Sequence, residues 1–115
     1  MRVLLDTNVL IWSLGNPDRL SVSAREVIEA TETEVWVSQV SLLEIAIKAS
    51  VGKLELDIAL DELPSYIERS GLALQPLSND AIFLWPKLPF NHRDPFDRLL
   101  ICEAIQSGAA IVTPD

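Results

Sequence analysis

The chain has 115 residues, 49% of them apolar and 23% charged, with a formal charge of −8, which describes one soluble domain with enough apolar side chains for a core. That charge argues against a protein that grips nucleic acid through a broad basic surface. No apolar run approaches the roughly 18 to 20 residues of a membrane span, and the start MRVLLDTNVL lacks the apolar stretch of a secretory signal, so a cytoplasmic protein without a membrane partner is expected.

RVLLD, ending in Asp6, is too short for a helix and reads as a first strand. TNVLIWSL follows as a helical stretch, GNPD as a turn, and Ser21 to Ala30 as a second helix. Glu26, Glu29, Glu32 and Glu34 belong to the solvated face of that helix and its exit loop. EVWVS is a second strand. A third helix starts near Ser38 and runs to Gly52, the left-handed stop. A fourth is predicted from about Ile58 to Arg69, with Pro64 as its weak point.

LALQPL reads as a third strand, and Ser78 or Asn79 caps a short helix DAIFLW. The segment NHRDPFDRLL opens a last helix that stops at Gly108, and AAIVT is the final strand, with Asp115 just beyond it. Cys102, in LLICEAI, reads as a buried inert thiol and takes no chemistry. Four strands alternating with helices predict a single domain over residues 1–115: an α/β/α sandwich around a central parallel sheet.

In such a sheet the loops and helix starts gather at the carboxyl ends of the strands, and ligands bind there. Asp6 and Asp115 each follow a strand, Glu44 lies one to two turns into the third helix, and Asp94 and Asp97 open the last one. Acids from four segments thus converge on one rim. Each has a structural reading as well. Asp94 before Pro95 makes a good helix cap, and Asp97 at the third helical position suits the helix dipole. Asp6 and Asp115 suit strand-end turns. Glu44 fits worst, because its helix is apolar nearly all round and Lys48 is its only local partner. Clustered carboxylates repel unless a cation lies among them, and hard oxygen ligands suit Mg²⁺ or Mn²⁺. That combination points to metal-assisted hydrolysis of a phosphodiester.

LLDTNVLIW, VSQVSLLEIAIKASVGKLEL and HRDPFDRLLICEAIQSGAAIVTPD, in that order, resemble the successive signatures of a PIN domain, specifically the VapC ribonuclease toxins of bacterial toxin-antitoxin pairs. The resemblance spans nearly the whole chain. It implies a metal-dependent endoribonuclease whose acidic quartet is Asp6, Glu44, Asp97 and Asp115, with Asp6 and Asp97 as the primary ligands of Mg²⁺, or of Mn²⁺ in its place. Thr7 and Thr113 match hydroxyl positions beside the acids, and Asn8 the polar edge. Arg98 matches a basic position read either as a phosphate contact or as half of a surface ion pair. His92 is read as ordering its loop, and Arg93 as meeting the RNA backbone. The resemblance further implies a cognate antitoxin, a homodimer, and a short helix and strand beyond the fourth acid that this chain is expected to lack. Trp12 and the aromatics between Phe83 and Phe90 are the candidates for exposed contact surfaces. Two rivals differ in class. A receiver-type phosphoacceptor needs an acid pair after the first strand and a late lysine, neither of which is present; a silent PIN-fold binding module usually loses acids, whereas the quartet here is complete.

Overall fold

The computed structural model describes residues 1–89 and 94–114. Its strands β1 (Arg2–Leu5), β2 (Glu34–Ser38), β3 (Ala73–Gln75) and β4 (Ala110–Val112) lie in the order β3-β2-β1-β4. All pairs are parallel, with Leu4 opposite both Trp36 and Ile111. The helices are α1 (Thr7–Gly15), α2 (Val22–Glu29), α3 (Gln39–Ser50), α4 (Leu63–Arg69), α5 (Asn79–Leu84) and α6 (Pro95–Ser107). The α/β/α sandwich expected from the alternation of elements is the fold observed. No helix among the described residues is long and apolar enough to cross a membrane.

Alternation along β1 assigns its side chains to two cores. Val3 and Leu5 face one that takes in Val9 and Leu10 of α1, Ile45 of α3 and Ile67 of α4. Leu4 faces the other, with Val40 of α3 and Leu100 and Ala104 of α6. All three β1 residues are fully buried or nearly so, each a burial worth about 1.5–3 kcal/mol. Because α3 contributes Val40 to one core and Ile45 to the other, a single apolar stripe would not suffice for it. This explains why its sequence is apolar on several sides.

Most element ends follow from local chemistry. Ser21, Ser38, Ser78 and Asp94 cap α2, α3, α5 and α6 through their side-chain oxygens. Gly108 ends α6 at φ 73°, a left-handed conformation that a Cβ would strain. Two expectations are corrected. The helix predicted from about Ile58 is a 3-10 turn at Leu60–Glu62 followed by α4, because Pro64 fits only in the first turn of an α-helix. The third strand is three residues rather than six, since Pro76 has no N–H to continue the ladder.

Candidate active site

Strands β1 and β4 are neighbours, and Leu5 pairs with Val112. The Asp6 N–H then donates to the Val112 carbonyl at 3.0 Å, which holds the start of α1 against the end of β4. Asp6 is the cap of α1, its Oδ1 accepting from the Asn8 N–H at 2.8 Å. Across the same edge, Asp94 Oδ1 accepts from the Phe96 and Asp97 N–H groups at 2.9 and 3.4 Å. Asp94 therefore starts the helix, and Asp97, in its first turn, reaches a pocket of about 140 Å³ whose walls include Asp6, Thr113, Leu100, Ile101 and Ile111.

Glu44 enters from α3, only 4% exposed, with Oε2 2.6 Å from the Lys48 ammonium and Oε1 without a hydrogen-bond partner among the described residues. Its negative charge is felt at Asp6. Burial raises the Asp6 pKa above its ordinary value, the Asn8 N–H opposes that rise, and the charge of Glu44 adds to it. As the side chains stand, no three His, Cys, Asp or Glu residues among those described are gathered closely enough to hold a metal ion. The donor set nevertheless fits a hard cation: two carboxylates wall one pocket, and an orphaned buried carboxylate oxygen lies on the helix beside them.

The remaining sequence candidates divide. Thr113 lines the pocket, and Asn8, exposed, meets the Asp6 carboxylate through its N–H. Thr7 is buried, its hydroxyl 2.9 Å from that of Ser41, so it ties α1 to α3. Arg98 requires a correction. It is 6% exposed, its Nη2 donates to the Trp85 carbonyl, and its guanidinium lies 4.8 Å from the centre of the Trp85 ring. The surface position expected for it is not the one observed; Arg98 fastens α6 to the segment after α5. Trp12 is half-buried and covered by Arg19, 4.5 Å from its ring, rather than standing open. Asp115, His92, Arg93 and Phe90 lie outside the described residues.

Sequence reasoning passed over Glu103. It is 5% exposed on α6, and neither carboxylate oxygen has a partner within hydrogen-bond geometry among the described residues. Burial raises its pKa to about 7, and the Ser38 hydroxyl offsets part of the rise. Its position inside the apolar run LLICEAI was the available signal.

A parallel sheet with acids at its carboxyl edge is the architecture of a PIN domain, and the PIN domain family model matches residues 3–115, so the chain belongs to that family. More particularly, it is 32% identical over 117 residues to Ribonuclease VapC22 of Mycobacterium tuberculosis, covering 98% of this chain and 86% of that protein. Two solved structures share the fold. VapBC2 from Rickettsia felis bound to a DNA fragment from its promoter superposes with a TM-score of 0.68 at 21% identity, over 98% of this chain and 87% of that one. A toxin-antitoxin complex from Klebsiella pneumoniae gives 0.63 at 17% identity, over 96% and 84%.

Proposed function

We propose that this protein is the ribonuclease toxin of a toxin-antitoxin pair, cutting RNA internally by metal-dependent hydrolysis in the cytoplasm. The observation that carries the reading is the pocket shared by Asp6 and Asp97 with the orphaned, buried Oε1 of Glu44 on the adjoining helix. Family membership and the name of the ribonuclease relative support it.

Asp6, Asp97 and Glu44 would hold Mg²⁺ or Mn²⁺, with Asp115 completing the quartet. Bound there, such an ion supplies an acidified water and offsets charge gathering on the phosphate. The chain's own residues do the rest. The Asn8 N–H fixes the Asp6 carboxylate, and the Asp94 cap leaves Asp97 available to the pocket. The N-termini of α1 and α6 both turn their positive ends to this rim, where they favour a phosphate. Leu100, Ile101 and Ile111 make an apolar floor that excludes bulk water.

Two surfaces support protein partners. A largely apolar groove of about 170 Å³, lined by Ile11, Leu14, Ile45, Leu56, Leu63 and Tyr66 and edged by Glu55 and Asp57, suits an apolar antitoxin segment carrying basic residues. Leu43, Ile47 and Val51 form an exposed stripe along α3, which supports a homodimer. The test of the activity is incubation of the protein with single-stranded RNA and Mn²⁺ or Mg²⁺. Cleavage that ceases with a chelator and with Asp97→Asn supports the reading, while cleavage indifferent to both refutes it.

A further inference from the structure

Two observations single out Lys48. Its ammonium is the cation paired with Glu44, at 2.6 Å. Its side chain, unlike that of Glu44, is part-exposed, so its four-carbon stem has room to move. A lone buried carboxylate without a cation loses several kcal/mol of hydration. Glu44 offsets that penalty at Oε2, and Oε1 has no hydrogen-bond partner among the described residues. The charge that now balances Glu44 therefore sits where a metal would have to compete for it.

We propose that Lys48 is a displaceable counter-ion of the acidic rim, holding Glu44 when no metal is bound and releasing it when a divalent cation is. The inference rests on the metal-dependent reading above and deepens it, giving Lys48 the role of a positioning residue that acts through Glu44. Two consequences follow. The metal-free rim stays folded despite its clustered acids, because one of them is already neutralised. Metal binding becomes an exchange of cations at Glu44 rather than a simple addition, so affinity is lower than the carboxylates alone would give. An ordinary i, i+4 helix pair would instead add a small increment to stability and leave metal affinity alone.

The test is Mn²⁺ binding to the intact protein by titration calorimetry, with the melting temperature measured in the absence of metal. In Lys48→Gln, the buried Glu44 loses its cation, so the metal-free melting temperature falls. Mn²⁺ affinity rises, by about tenfold if displacing the pair costs about 1.4 kcal/mol. Lys48→Arg keeps the charge and pins the carboxylate through two N–H groups, so Mn²⁺ binds more weakly than to the native protein. Unchanged or weaker affinity in Lys48→Gln means that Lys48 merely orders Glu44 and overturns the proposal. Should Lys48→Gln not fold, an unchanged affinity in Lys48→Arg overturns it equally. A native protein that binds no Mn²⁺ sinks the metal-dependent reading itself, and this inference with it, which separates the two failures.

Discussion

Replacing Glu103 by Gln should stabilise the protein in alkaline but not in acidic solution. The side chain is 5% exposed, the Ser38 hydroxyl offsets only part of the cost of its burial, and no charged side chain is among the causes of its shift. Its folded pKa, about 7, lies above the ordinary 4.5, so the folded chain keeps this proton longer than the unfolded one. Native stability is therefore whole below about pH 4.5 and falls as pH rises through about 7. At about 1.4 kcal/mol per pH unit, that gap sets a ceiling of about 3 kcal/mol on the loss. Gln has nearly the same shape and no charge at any pH. Urea denaturation of both proteins at pH 5 and pH 8, with chelator present, would read the difference. Glu103→Gln should be no more than about 1 kcal/mol more stable than native at pH 5 and about 3 kcal/mol more stable at pH 8, on the order of 10 °C in melting temperature. A stability difference that is the same at both pH values would refute the argument, since acids elsewhere titrate alike in the two proteins.

Three further outcomes are expected. Asp97→Asn should abolish metal-dependent cleavage with the fold intact, as read by circular dichroism, whereas Asp94→Asn should retain most of it because Asn caps a helix about as well as Asp; the reverse pattern would overturn the division of labour between them. Because burial and Glu44 raise the Asp6 pKa, protons compete with metal there at a higher pH than at an ordinary aspartate. Mn²⁺ affinity measured by calorimetry should therefore weaken as pH falls through that raised value, and an affinity flat into the ordinary carboxylate range would exclude Asp6 as a ligand. Arg98→Ala should lower stability by about 2–4 kcal/mol in denaturation while leaving the salt dependence of RNA binding unchanged; a shallower salt slope would restore the phosphate contact.

The sheet was legible because β1 and β2 are short apolar runs bounded by polar residues, and because serine or aspartate stands before five of the helices. What was not legible is how proline divides a helix from the turn before it, since apolar Ile58, Leu60 and Leu63 around acidic Asp61 and Glu62 are compatible with either. Asp6 and Asp97 could be placed from topology alone: a residue after a parallel strand and one in the first turn of the returning helix must reach the same edge. Glu44 was legible for the opposite reason, as an acid on a helix with no polar face to hold it. Its pairing with Lys48 is a distance, and spacing of four residues only permits it.

The inside of α6 could not be read from hydropathy. Leu99, Leu100, Ile101 and Cys102 are consecutive, so every direction around the helix carries an apolar side chain and no stripe marks the core. The structure buries Arg98 and Glu103 and leaves Ile105 exposed. Among the described residues, three acidic or basic side chains thus lie buried, each accommodated differently. Arg98 gives an N–H to the Trp85 carbonyl and lies against the Trp85 ring. Glu103, with no charged partner, meets burial by holding its proton to a higher pH. Glu44 keeps one oxygen on an ammonium that has room to leave and leaves the other without a partner. Only Glu44 also shares its surroundings with other acids, and its charge reaches Asp6. Burial alone therefore does not mark the functional acid. A buried carboxylate beside other carboxylates, held by a cation that can be exchanged, does.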